Sequence, residues 1–188
     1  MLTIEQTNFY TRWRNKGEAM DSNGVEEAID KYVTLFITFN FLYNPVPEKM
    51  VRHRNIVLKK VGDKESATLF IQDFLGSQNI LSYLNQNGCD ADIIGLANIL
   101  RQKHFNIVLD RLGVPKPKED EKLLKHLQST NEDEKSLAIL EILYYVRCNV
   151  VHGRKGLQEY QTLLLVPVIN ILSKINHQLF QALTVYPV

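Results

Sequence analysis

Cysteine is scarce: Cys89 and Cys148 are the two in 188 residues, and they lie far apart. That pattern excludes a disulfide scaffold of the small secreted type and fits a reducing compartment. Two thiols are also too few for a structural zinc site without help from histidine. His53, His104, His126 and His177 are scattered, with no pairing at metal-ligand spacing, so no metal and no other cofactor is expected. Charge of one sign is lacking as well. Lys plus Arg total 22 against 21 Asp plus Glu, a net charge of +1, so no global basic field holds nucleic acid unspecifically and any such binding must come from a local patch. The longest apolar run, residues 163–169, is far short of the ~20 residues of a membrane span, and no membrane association is expected. The first six residues carry neither a basic nor an apolar leader segment; no secretion signal is read, and a cytoplasmic location is the expectation. There is no glycine-rich phosphate loop, no carboxylate pair of clear geometry and no serine-centred elbow.

What is present is ordinary globular composition, 45% apolar and 23% charged, which excludes disorder as the main state. A chain of this length buries roughly two-thirds of its unfolded surface and reads as one domain over 1–188. Apolar residues recur at helical spacing almost throughout. Val25, Ala28, Ile29, Tyr32, Phe36, Phe39 and Tyr43 share one stripe, with Asn23 and Glu26 at capping-box spacing before it. Residues 35–42 are apolar on nearly every side, as in a helix buried on two faces. The segment Asn44-Pro45-Val46-Pro47 should stop this helix. A mixed, basic segment over 48–64 reads as a short helix and a connector, and residues 56–58 also fit a strand. Short helices are expected around Ala67–Phe74 and around Ile80–Leu84, the second ended by Asn87-Gly88. Asp90 or Asp92 can cap a helix carrying Ile93, Leu96, Ala97, Leu100, His104 and Ile107. Residues 118–129 read as a charged helix with Leu123, Leu124 and Leu127 inward. Asn131 and Glu134 open a longer helix to about Val151. The last helix carries Leu157, Tyr160, Leu164, Val168, Ile171, Ile175, Leu179 and Leu183 on one face, with Pro167 expected to kink it. The whole predicts an all-α helical bundle.

One segment concentrates chemistry. Residues 142–155 bring Arg147, Asn149 and His152 onto the end of an amphipathic helix, followed by Gly153, Arg154 and Lys155. Arg147 and His152 are five positions apart, about 140° round an ideal helix, so they share a face loosely unless the helix breaks or a second chain completes the site. Guanidinium, amide and imidazole suit an RNA phosphodiester: arginine grips phosphate with charge-assisted bonds, and histidine moves protons near neutrality. The spacing alone fits better with cations placed favourably at a helix C-terminus, in an ordinary helical interaction protein. The same two readings, helix-end cations or RNA backbone contacts, apply to Arg154 and Lys155. Asn40 and Asn44 stand beside apolar residues of the early helix, as amides that bond the bundle or face the motif. Trp13 between Arg12 and Arg14 reads as the anchor of an N-terminal helix rather than a base-stacking platform.

The segment Tyr145-Val146-Arg147-Cys148-Asn149-Val150-Val151-His152-Gly153 resembles the signature of HEPN-domain proteins, an Arg followed by four to six residues and a His. Its extended form is similar to one prokaryotic branch of that superfamily, and residues 36–44 are similar to the early helix of the same proteins. The stretch from about 48 to 129 matches no part of the family pattern. The resemblance implies a four- or five-helix core, here with shorter inserted helices, that forms a homodimer with the motifs of two protomers in an interfacial cleft. It implies a metal-independent endoribonuclease of toxin or defence type, cleaving RNA by 2′-hydroxyl attack, with a neutralising antitoxin as a partner. His152 would transfer the proton, Arg147 would stabilise the charged phosphorane and Asn149 would orient either. In many members the polar residue directly follows the Arg; here Cys148 takes that place and the amide comes one later. Other members have lost activity, so the alternative is a module that binds RNA, nucleotide or a protein partner through the same cleft.

Overall fold

The computed structural model describes residues 2–54, 61–103, 105–151 and 159–185, with the backbone alone described at 52–54, 151 and 160. These residues form an all-α helical bundle: α1 (Ile4–Ala19), α2 (Val25–Tyr43), α3 (Val46–Arg54), α4 (Asp63–Ala67), α5 (Leu69–Leu75), α6 (Ser77–Gln86), α7 (Asp90–Gln102), α8 (Pro117–Leu127), α9 (Glu132–Val151) and α10 (Thr162–Val185). A 3₁₀ turn, Glu159–Gln161, leads into α10. The most extensive packing is between α2 and α10, with α1 laid on α2. The site helix α9 packs on α8, α6 and α2. Tyr32, Leu35, Phe39 and Leu42 of α2 meet Val168, Leu172, Ile175 and Leu179 of α10 in one fully buried core.

Buried polar groups pin these helices at chosen heights. Asn176 of α10 donates through Nδ2 to the Leu35 carbonyl at 2.9 Å. Gln72 of α5 donates to the Asp133 carbonyl at 2.6 Å and to Ser136 Oγ at 2.8 Å, which fixes the start of α9. The Tyr32 hydroxyl donates to the Leu143 carbonyl at 2.5 Å and joins α2 to α9. A buried amide or phenol left without such a partner costs roughly 1–3 kcal/mol, so each bond selects one register.

Several expected boundaries hold for the expected reasons. Asn131 Oδ1 accepts from the backbone N–H groups of Asp133 and Glu134 at 2.8 and 3.3 Å and opens α9. Gly88, with φ at 78°, closes α6. Its N–H reaches the Asn85 carbonyl while that of Cys89 reaches Leu84, the paired bonds of a Schellman cap. Others differ. Gly24 is the N-cap of α2 with no side-chain bond, and the Asn23 amide donates instead to Asp21 at 2.7 Å. The capping box belongs to Thr3 and Gln6 at the start of α1. Cys89, not Asp90 or Asp92, stands at the N-cap of α7, with the two carboxylates inside its first turn. The same helix stops at Gln102, where Lys103 turns left-handed with φ at 56°. Ile107 therefore leaves the stripe for a buried loop bridged between Leu109 and Pro115. His104, residues 56–58, Gly153 and Leu157 lie outside the described residues.

The apolar run at 163–169 lies inside the last helix, as its stripe predicts, although the helix is described only from Thr162. Over its 24 residues α10 is long and apolar enough, by length and composition, to cross a membrane, and half of its most apolar window is buried inside the bundle. Pro167 lies within this helix and is buried. Trp13 is part-buried with its ring 5.9 Å from Phe9, whose own ring lies 4.5 Å from Phe41 of α2, the arrangement of an anchor for α1.

Candidate functional site

Arg147 lies one turn before the end of α9 and turns toward α2. Its side chain is 25% exposed. The guanidinium carbon sits 5.6 Å from the Phe36 ring centre and 5.8 Å from that of Tyr144, so aromatic faces support the cation on two sides. Together with Tyr32, Val33, Phe36, Ile37 and Asn40 of α2, Arg147 lines a shallow cleft of about 130 Å³. Ile37 is exposed at this cleft.

The charge partner of Arg147 comes from α4. Its Nη1 donates to Asp63 Oδ2 at 3.0 Å. The same carboxylate accepts from the Tyr43 hydroxyl at 2.7 Å and from the Tyr144 hydroxyl at 3.3 Å. Burial is the largest influence on Arg147 and works against its charge, but Asp63, Cys148 and Tyr43 together more than offset it and hold the guanidinium above its ordinary value. Burial, reinforced by the bond to Asp63, pushes the Tyr43 phenol far up, and burial does the same for Tyr144. Next in sequence, Lys64 binds Glu141 Oε1 at 2.6 Å and the Tyr145 hydroxyl at 2.7 Å, so adjacent residues of α4 clasp two turns of α9. Burial lowers the Lys64 pKa, and the bonds to Glu141 and Tyr145 more than restore it.

The expected site residues separate into three groups. Arg147 and Asn40 meet at the cleft. Asn149 does not join them. It is 8% exposed and donates through Nδ2 to the Ile107 carbonyl at 2.8 Å. Two residues along a helix is about 200° of rotation, so the Asn149 amide serves the face opposite Arg147 and ties down the loop after α7. Asn44 is exposed at the end of α2, where its backbone N–H bonds Asn40. His152, Arg154 and Lys155 lie outside the described residues. Among the described residues no group of three or more His, Cys, Asp or Glu is placed to hold a metal. Cys148 is half-buried and unpaired by disulfide.

Asp63, Tyr43 and Tyr144 are the members that sequence reasoning missed. In the sequence Asp63 is one acid diluting a basic stretch, 84 positions from Arg147. Only the docking of α4 on α9 joins them. No protein-family model, curated protein or solved structure matches the chain.

Proposed function

We propose that the protein is a metal-independent endoribonuclease of the HEPN type, acting as a homodimer in which Arg147 and His152 of both protomers form the site. The observation that carries this reading is the state of Arg147: a charged guanidinium, supported by two rings, lining a cleft with Asn40 just ahead of His152 in the chain. Such a cation can donate to a phosphate through the N–H groups that Asp63 and Cys148 do not engage, and it offsets charge that develops on phosphorus. His152 takes the proton of the 2′-hydroxyl, the hydroxyl oxygen attacks the adjacent phosphorus, and the P–O bond to the 5′-oxygen of the next nucleotide breaks as that oxygen takes the proton back from the His152 imidazolium. RNA is the substrate because DNA lacks the internal nucleophile. A role in toxicity or defence, opposed by a neutralising partner in the cytoplasm, follows from the family resemblance.

The test is purified protein with mixed RNA in EDTA, beside Arg147→Ala and His152→Ala. Cleavage should leave 2′,3′-cyclic or 3′-phosphate ends and weaken as pH falls below ~6.5, where a free imidazole is protonated and no longer a base. Loss of either group should lower the rate ~100-fold or more. Products ending in 3′-hydroxyl, a strict magnesium requirement, or full activity in Arg147→Ala would refute the mechanism. The second reading, a non-catalytic module, is favoured by the Asp63 carboxylate already paired with Arg147. It predicts that wild-type protein binds RNA, nucleotide or a protein partner without cutting any RNA.

A further inference from the structure

We infer that Asp63 is the positioning residue of the site: it orients the Arg147 guanidinium for phosphate without touching the substrate itself. The inference deepens the proposed function and rests on it for its link to cleavage, while the ordering of Arg147 is tested separately.

The geometry around Asp63 is more than a surface ion pair. An exposed pair gains little in water and needs no further groups. Here three donors converge on one carboxylate. Tyr43 holds Oδ1 at 2.7 Å, and Arg147 and Tyr144 share Oδ2 at 3.0 and 3.3 Å. Tyr43 is fully buried, so the carboxylate is gripped from a rigid part of α2. Tyr144 acts twice, as a donor to Asp63 and as a ring beside the guanidinium. Asp63 engages one of the two terminal nitrogens of Arg147, and the rings of Phe36 and Tyr144 restrict motion out of the guanidinium plane. Among the described residues Asp63 and the neighbouring Cys148 engage the guanidinium, and its further N–H groups can serve a ligand in the cleft beside Asn40. The carboxylate itself is anchored by its neighbour, because Lys64 is bound to Glu141 and Tyr145 of α9. A guanidinium held in this way meets phosphate without first being ordered.

The experiment compares wild type with Asp63→Ala, Asp63→Asn and Tyr43→Phe on a single-stranded RNA oligonucleotide, with circular dichroism melts on every variant. In Asp63→Ala, kcat should fall by about 10- to 100-fold while KM stays level or drops, since a negative charge beside the cleft is removed. Asp63→Asn keeps an acceptor oxygen for Arg147 and should recover most of that loss. Tyr43→Phe frees one carboxylate oxygen and should give a smaller fall in kcat. The independent readout is the heteronuclear NOE of the Arg147 Nε–H group, which should be as rigid as backbone in wild type and fall in Asp63→Ala. If Asp63→Ala does not fold, the same NOE and kinetics in Asp63→Asn and Tyr43→Phe decide. An unchanged NOE, or activity in Asp63→Ala equal to or above wild type, overturns the inference. If wild type cuts no RNA but the NOE falls as expected, the ribonuclease reading fails and Asp63 keeps its role in ordering Arg147.

Discussion

At the residue scale, Arg147 and Asn149 stand two positions apart on opposite faces of α9 and serve different ends. Arg147 is part-exposed, and its ion pair with Asp63 is open to water on the carboxylate side. Arg147→Ala should therefore shift stability by only about 1 kcal/mol, read as a small change in a cooperative melt, while RNA cleavage is nearly abolished. Asn149 is buried, and its bond to the Ile107 carbonyl has no water to replace it. Asn149→Ala should cost about 1–3 kcal/mol in denaturant unfolding, from a stranded carbonyl and a lost tether. Its residual activity, measured well below the melting temperature, should stay within severalfold of wild type. If Asn149→Ala is instead fully stable and silent, the amide acts on the chemistry and not on the loop.

At the element scale, the crossing of α1 on α2 depends on a missing side chain. A Cβ built at Gly17 meets Leu35 Cδ2 at 2.7 Å and Cγ at 3.0 Å, and Leu35 is wholly buried. Alanine would gain roughly 1 kcal/mol of helix propensity and lose about 1–3 kcal/mol to overpacking. Gly95 in α7 is the control, because nothing lies within 4 Å of its added Cβ. Gly95→Ala should raise the melting temperature and Gly17→Ala should not. Equal gains at both sites would show that α1 slides freely on α2.

At the scale of the whole molecule, assembly and alkaline stability give two further checks. The proposed site needs two chains, and Ile37 is exposed beside Arg147 at the cleft. Light scattering at tens of micromolar should give a dimer, and Ile37→Asp should weaken it. A monomeric wild type counts against the shared site. Among the described residues Tyr10, Tyr32, Tyr43, Tyr83 and Tyr144 have raised pKa values. Burial carries Tyr10 up to about 12, and Tyr32 and Tyr43 are buried within the core. In the unfolded chain these phenols ionise near 10, so between 10 and 12 the unfolded state binds fewer protons than the folded one. Stability is then full below pH 10 and falls as pH rises toward 12. A phenolate absorbance titration should show a late phase that coincides with loss of helical circular dichroism. Ionisation of all these phenols near 10 with the helices intact would contradict the burial.

The all-α class, the long helices Val25–Tyr43 and Glu132–Val151 and the cap at Asn131 were legible from residue periodicity and cap spacing, because such signals are local and each helix carries its own. The last helix was legible by its stripe, although its described start comes at Thr162, after Leu157 and Tyr160. Arg147 was singled out in the sequence by its spacing to His152 and the family resemblance, and the structure adds a cleft and a charge partner to it. The end of α7 at Gln102 was not, since Ile107 continues the apolar period and only the left-handed turn at Lys103 breaks it. Nor was the partition of the site. Which way Asn149 faces, and that Asp63 rather than a neighbour on α9 meets Arg147, follow from the docking of α4 and of the 105–116 loop against α9. Sequence determines which residues can carry charge and which stripe is buried. Tertiary packing alone decides which distant groups share one carboxylate, because that depends on contacts across 84 positions that no local pattern encodes.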